Sequence, residues 1–282
     1  AQAVADALQP VSETLNLAPD IEVQVQRMDE ATALRALCSG APVTAWVNAF
    51  TYVAAARTCG AEPLLVLLRE NEGEVKIGIA YDVIVSAGIR SAGDLAGERY
   101  CRVEGQLEDW AFAALMLAAE GFDPLAQMSP LPVYSSETAA LRALLDGECA
   151  ALALAAGTLE DRLDELAAEG NTGPEDREDV RVLIAGGDVL LASENAGDPP
   201  VLPRYVVPYG VWVAAPDSAL PAGDDRPLRQ ELAAAVRAYF EENPSILNRW
   251  FGMSQVIAVD QTSLAALRAW LDGAAWDMAH AP

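Results

Sequence analysis

Residues 29–69 read DEATALRALCSGAPVTAWVNAFTYVAAARTCGAEPLLVLLR, and their order decides the fold. Asp29 to Leu37 is helical in pattern, and Ser39-Gly40 stops it. Val43 to Val47 is a short strand, and Asn48 stands where a helix cap would. The helix that follows, about Phe50 to Thr58, is ended by Gly60, and Leu64 to Arg69 is an apolar strand. Helix, strand, helix and strand within one stretch give the alternation of an α/β fold.

The alternation continues on both sides. Upstream, Val4 to Leu15 reads as an amphipathic helix and Ile21 to Val25 as a half-buried strand. Downstream, strands are expected over Lys76 to Val85, Tyr100 to Val103, Leu131 to Tyr134, Cys149 to Leu154, Val180 to Ile184 and Tyr205 to Val213. Helices are expected over Leu107 to Ala119, Glu137 to Leu145, Leu159 to Ala168, Pro227 to Glu241 and Ser263 to Leu271. Gly186 to Pro203 is polar and proline-rich, which marks a connection. Mostly parallel sheets follow from this order, with ligands beyond the carboxyl ends of the strands.

Composition narrows the function. The chain has 282 residues, so two lobes are expected. Its 42 acidic and 18 basic side chains give a net charge of −24, a field that repels nucleic acid and anionic membrane surfaces. No apolar run approaches the roughly 18 to 20 residues that cross a bilayer. The single histidine, His280, lies two residues from the end, so a Ser-His-Asp or Cys-His system lacks a base. Four scattered cysteines without a Cys-x-x-Cys pair argue against a zinc site. The chain is expected not to be an enzyme and to need no metal or cofactor.

Four segments then combine in order: Leu34-Arg-Ala-Leu-Cys-Ser-Gly40 with Thr51-Tyr-Val-Ala-Ala-Ala56; Gly88-Ile-Arg-Ser-Ala-Gly-Asp-Leu-Ala-Gly97; Ala143-Leu-Leu-Asp-Gly-Glu-Cys149; and the closing Glu242-Asn-Pro244 region. This series resembles the phosphate/phosphonate type of periplasmic substrate-binding protein of ABC importers, over nearly the whole chain. The resemblance implies a type 2 periplasmic binding protein: two Rossmann-like lobes joined by two crossover strands, closing on a solute by hinge motion. The first lobe would be residues 1–86 plus 205–282 and the second 87–204, with hinges at Val85 to Ile89 and Ile184 to Tyr205. It further implies a monomer outside the cytoplasm, periplasmic or at the cell surface, with a lipid anchor as one form of attachment. Its partners would be a small-molecule solute and an ABC permease in the membrane. A ligand-sensing or interaction domain of a membrane receptor on the same fold is the alternative. No signal peptide or anchor cysteine is visible, as in a mature or trimmed chain.

Two departures from the family pattern bear on the ligand. The family opens with a β-strand, whereas this sequence begins in what reads as the first helix. The family cradles its anion in a Ser/Thr-rich turn at a helix N-terminus, where free N–H groups and the helix dipole favour negative charge. That turn here is Glu104-Gly-Gln-Leu-Glu-Asp-Trp110. Glu104, Glu108 and Asp109 would repel an incoming phosphate, and so would Asp82. Glu108 and Asp109 also fit as ordinary first-turn helix stabilisers.

Candidate cleft residues are those at the carboxyl ends of the strands. From the first lobe they are Trp46, Asn48, Thr51, Tyr52, Tyr81, Asp82 and Tyr209; from the second, Glu104, Gln106, Trp110, Ser135, Ser136 and Glu137. Aromatics beside carboxylates suit a cation, and a neutral polar solute fits nearly as well. Core packing is the other reading of Trp46, Trp110 and Trp212, and helix capping that of Asn48.

The cysteines pair within lobes. Cys38 ends one helix and Cys59 the next, and Cys101 and Cys149 start strands expected to be neighbours. Two disulfides would fit an oxidising compartment, and four buried thiols are the alternative.

Overall fold

The computed structural model describes residues 28–71, 73–104, 107–129, 132–170, 174–190, 200–216 and 228–276. The helix expected at Val4 to Leu15, the strand at Ile21 to Val25, Gln106 and His280 lie outside the described residues.

The chain divides into two compact units. The first comprises the described residues of Ala1–Gly78, Leu190–Val201 and Val207–Ala265; the second, those of Ile79–Val189, Leu202–Val206 and Ala266–Pro282. The chain leaves the first unit at Gly78, ahead of the expected boundary at residue 86, so Tyr81 and Asp82 belong to the second unit.

In the first unit, α1 (Glu30–Leu37) starts at Asp29, whose side chain accepts from the Thr32 N–H, and β1 (Thr44–Val47) follows. Helix α2 (Ala49–Cys59) is capped by Asn48 and closed by Gly60 at φ 76°, a left-handed conformation that glycine adopts without steric cost. The sheet runs β1, β11 (Val211–Ala214), β2 (Glu62–Asn71), β12 (Gln255–Ala258), with β3 (Glu74–Lys76) beside β2. Strand β11 is antiparallel to both β1 and β2, so those two point the same way with a returning strand between them. Leu64, Leu65, Leu67 and Val256 pack beneath α7 (Leu228–Glu242) and α8 (Pro244–Phe251), against Val236, Phe240 and Leu247.

The chain enters the second unit by the short strand β4 (Gly78–Ile79), which straddles the division. Strand β5 (Tyr81–Ser86) there lies between β8 (Ala151–Ala155) and β9 (Val180–Ile184), antiparallel to both. Beside this group β6 (Arg102–Val103) and β7 (Val133–Tyr134) pair in parallel, and a parallel bridge from Tyr100 to Ala151 links them to β8. The helices are α3 (Leu107–Ala119), α4 (Pro124–Gln127), α5 (Glu137–Leu145), α6 (Leu159–Ala168) and α9 (Ala265–Gly273), the last starting at the division. Ile84, Leu152, Leu154, Leu141, Leu144, Leu163 and Leu166 make its core.

The sense of the ladders corrects the expectation of mostly parallel pairing: β6–β7 is parallel, while the ladders β1–β11, β11–β2, β2–β12, β2–β3, β5–β8 and β5–β9 are all antiparallel. Helical crossovers do give strands of one direction, β1 with β2 and β8 with β9. Their hydrogen-bond partners, however, are the opposed strands β11 and β5.

Other differences are local. The run Lys76 to Val85 is broken at Ile77 and Ala80, and Tyr205 to Val213 at Tyr209-Gly210, where β10 (Val207–Pro208) stops before β11. Gly78 lies so close to Val207 that a Cβ would come 2.2 Å from its carbonyl oxygen, so only glycine fits there. Strand β12 and helix α4 were not expected; Asp123 caps α4 and Pro124 opens it.

Both disulfides are present, each within one unit: Cys38–Cys59, with Cα atoms 5.4 Å apart, and Cys101–Cys149, at 5.7 Å. No helix among the described residues is long and apolar enough to cross a membrane.

Candidate functional site

In the first unit, two of the expected residues meet at the start of α2. The Asn48 side chain accepts from the Thr51 N–H at 2.8 Å, as a cap does. The Asn48 N–H donates to Glu30 Oε1 at 3.3 Å, which brings a carboxylate from the start of α1 to the start of α2. Glu30 Oε2 and the Thr51 hydroxyl are buried and have no hydrogen-bond partner among the described residues. Thr51 and Tyr52 are both fully buried. Glu30 was not expected here, because only the fold brings residues 30 and 48 together.

Trp46 and Tyr209 are placed elsewhere in this unit. Trp46 lies opposite Trp212 across the β1–β11 ladder, with ring centroids 5.6 Å apart, and meets Phe251 of α8 at 6.1 Å. This is the packing reading of Trp46 and Trp212. Tyr209 is half-buried, with the Arg69 guanidinium 4.5 Å over its ring, so that face already holds a cation. Burial pushes the acidity of Tyr209 to higher pH, and the Arg69 charge opposes this.

The second unit gathers its candidates at the carboxyl ends of β6 and β7. The Glu104 N–H donates to the Tyr134 carbonyl at 2.7 Å, setting the turn after β6 beside the Ser135-Ser136-Glu137 turn after β7. Glu104 and Ser135 are exposed. Ser136 caps α5 by accepting from the Ala139 N–H at 3.1 Å. Glu137 pairs with Arg162 at 2.8 Å, so both have structural partners.

Asp109, in the first turn of α3, is fully buried and reaches back to the strand. It accepts from the Val103 N–H at 3.4 Å and the Trp110 N–H at 2.5 Å. Desolvation holds its pKa above the ordinary carboxylate range; the two backbone hydrogen bonds and the Arg102 charge pull it down, while Glu137 pushes it up. Trp110 is half-buried, its ring 4.7 Å from that of Tyr100. Tyr100 was not singled out in the sequence either, although its ring is fully buried in this cluster.

Tyr81 and Asp82 lie at the start of β5. The Tyr81 ring packs on Phe112 of α3 at 5.1 Å. Asp82 is buried, with Oδ1 accepting from Gly186 at 2.7 Å and Oδ2 from Gly157 at 2.8 Å. Each oxygen therefore ties β5 to the loop after β9 or β8. Gly186 is required by its contact: a Cβ there would sit 2.3 Å from the Tyr81 carbonyl oxygen. Among the described residues no group of three His, Cys, Asp or Glu could hold a metal ion.

Two solved structures show the same fold. A Xanthomonas citri protein bound to ATP matches at TM-score 0.50 and 15% identity, over 96% of this chain and 91% of that one. Transferrin 1 of Manduca sexta matches at TM-score 0.55 and 13% identity, over 98% of this chain and 45% of that one. PhnD1 of Prochlorococcus marinus, solved with methylphosphonate, gives TM-score 0.41 at 13% identity over 96% and 93% of the two chains. No curated sequence matches the chain. Residues 1–264 match the model of the phosphonate ABC transporter periplasmic substrate-binding protein, and the chain belongs to that family. It is a periplasmic substrate-binding protein of an ABC transporter with the type 2 periplasmic binding protein fold. The family is one of solute-binding proteins rather than enzymes, delivering small solutes to an ABC permease from outside the cytoplasm.

Proposed function

We propose that the solute is a cation, such as an amine or quaternary ammonium, or a neutral polar molecule, and not a phosphorus oxyanion. The observation that carries this reading is Glu30 at the start of α2. Its Oε1 takes the Asn48 N–H, and its Oε2 is buried without a partner among the described residues. An unpartnered buried acceptor costs about 1 to 3 kcal/mol, and an ammonium or hydroxyl donor would relieve it. A phosphate would meet a like charge there.

Asn48, Thr51 and Tyr52 in the first unit are proposed to contact the solute. So are Glu104, Gln106, Trp110 and Ser135 in the second. Asp82, Ser136, Glu137, Trp46 and Tyr209 have partners within the protein and support the structure around these residues. The protein works as a monomer that hands its solute to the permease.

A thermal-shift screen of amines, phosphonates and neutral polyols tests this. At a ligand concentration of about 100 Kd, binding stabilises by about 2.7 kcal/mol. That is a shift of about 5 to 10 °C at 2 to 4 °C per kcal/mol. Amines or polyols should give it. A shift with phosphate or phosphonate and none with amines or polyols would sink the proposal.

A further inference from the structure

We infer that the Cys38–Cys59 disulfide is a positioning element of the solute site: it holds α1 against α2 so that the Glu30 carboxylate stays at the start of α2. The inference rests on the reading that Glu30 meets the solute, and it names what keeps that side chain in place.

Helix α1 is short. It has eight residues, fewer than the roughly 12 to 15 below which an isolated helix is marginal in water, so it depends on what it packs against. Its buried face is small, formed by Ala33 and Leu37. The Asp29 cap, which accepts from the Thr32 N–H at 2.7 Å, is local to α1 and does not fix where the helix lies. Helix α2 is the firm partner, because Ala49 to Ala56 are all buried.

Two links tie α1 to α2, one at each end. At the start, Glu30 Oε1 accepts from the Asn48 N–H at 3.3 Å. At the other end, Cys38 caps α1 and is bonded to Cys59, the last residue of α2. The two helices therefore run side by side in the same sense. The links differ in strength: the first is a long hydrogen bond between exposed residues, and the second is covalent. Beyond Cys38 the chain is exposed from Ser39 to Pro42, and the Ser39 and Ala41 hydrogen bonds stay within residues 36–41. The covalent link lies about 12 Å from Glu30 along the helix, at 1.5 Å per residue. Over that length a helix is stiff, so fixing its end limits the swing at its start.

Removing the bond should free the Asn48 amide and lower solute affinity together. The experiment compares the unaltered full chain with C38S/C59S, E30A and the combined E30A/C38S/C59S. Hydrogen exchange of the Asn48 amide is read by NMR, and calorimetric titration reads the binding of ethanolamine, choline and glycerol. C38S/C59S should exchange that amide about fivefold faster, the equivalent of losing one ordinary hydrogen bond. Whichever probe the unaltered protein binds, C38S/C59S should bind it about tenfold more weakly. E30A should show both effects with the disulfide intact, and the combined variant should show no more than E30A alone. C101S/C149S, which lacks the other disulfide, should leave the Asn48 amide unchanged. Where C38S/C59S does not fold, C38A/C59A decides, since alanine is the better helix former. Loss of the fold in both would overturn the inference, because the bond would then hold the fold and not one carboxylate. Unchanged Asn48 exchange, or an effect that adds to that of E30A, would also overturn it and leave the reading of the solute standing. Faster exchange with unchanged affinity would overturn Glu30 as a solute contact and leave the clamp in place. The exchange readout decides the clamp whether or not a probe binds.

Discussion

Replacing Asp82 by alanine removes the acceptor for two backbone N–H groups at once. The Gly186 and Gly157 donors lie 2.7 and 2.8 Å from the two carboxylate oxygens. Hydrogen bonds to a charged group contribute about 1.5 to 3 kcal/mol each, and a buried donor left without a partner costs about 1 to 3 kcal/mol. D82A should therefore lose about 3 to 5 kcal/mol. At 2 to 4 °C per kcal/mol for a chain of this size, the melting temperature should fall by about 10 °C. D82N keeps one carbonyl acceptor and turns an amide donor toward the other N–H, so it should lose about 2 to 3 kcal/mol. Differential scanning calorimetry of the three proteins measures both losses. A D82A melting temperature within about 2 °C of the unaltered protein would refute the clamp. So would a variant of unchanged stability that lost solute binding, since Asp82 would then belong to the ligand.

Three further predictions use other parts of the structure. The D109N variant should gain in melting temperature relative to the unaltered protein as pH rises from about 4 to 7. Desolvation raises the pKa of the native carboxyl above its unfolded value, so its ionisation destabilises the native state over that window. Arg102 offsets part of this and Glu137 adds to it, while Tyr100 stays un-ionised; a relative loss with rising pH would contradict the assignment. Breaking Cys38–Cys59 or Cys101–Cys149, which close loops of 21 and 48 residues, should cost about 3 and about 4 kcal/mol in the chain-entropy model, read from denaturant midpoints of the serine pairs. Gly186→Ala should destabilise by about 2 kcal/mol or more, because its Cβ would meet the Tyr81 carbonyl at 2.3 Å, and equal stability by thermal melting would show that β5 yields there.

Much of the fold was legible because it rests on local signals. Asn48 and Gly60 sit at helix ends in the roles their chemistry suggests, and the elements from Asp29 to Arg69 fall within a few residues of their expected places. The cysteine pairs were legible too, because each joins neighbouring elements of one unit. Ladder sense was not, since the partner of β1 and β2 comes from residues 211–214, far along the chain. Strand β12 is four residues long and carries no turn signal of its own.

The candidate site was legible only in part. Strand-end logic named Asn48, Thr51, Glu104 and Trp110 as candidates, but it could not show which side chains the protein itself already uses. Asp82 bonds two glycines distant in sequence, Glu137 bonds Arg162, and Trp46 packs on Trp212. Glu30 and Tyr100 gave no signal, because their importance comes from burial beside groups that the chain brings to them only on folding.

The central claim is that a member of a phosphonate-binding family captures a solute that is not a phosphorus oxyanion. It is tested most directly by mass spectrometry of the small molecules released on denaturing the protein after its isolation from the periplasm. The account predicts an amine, a quaternary ammonium or a neutral polar compound in stoichiometric amount. A phosphonate, phosphate or phosphate ester in that amount would contradict it.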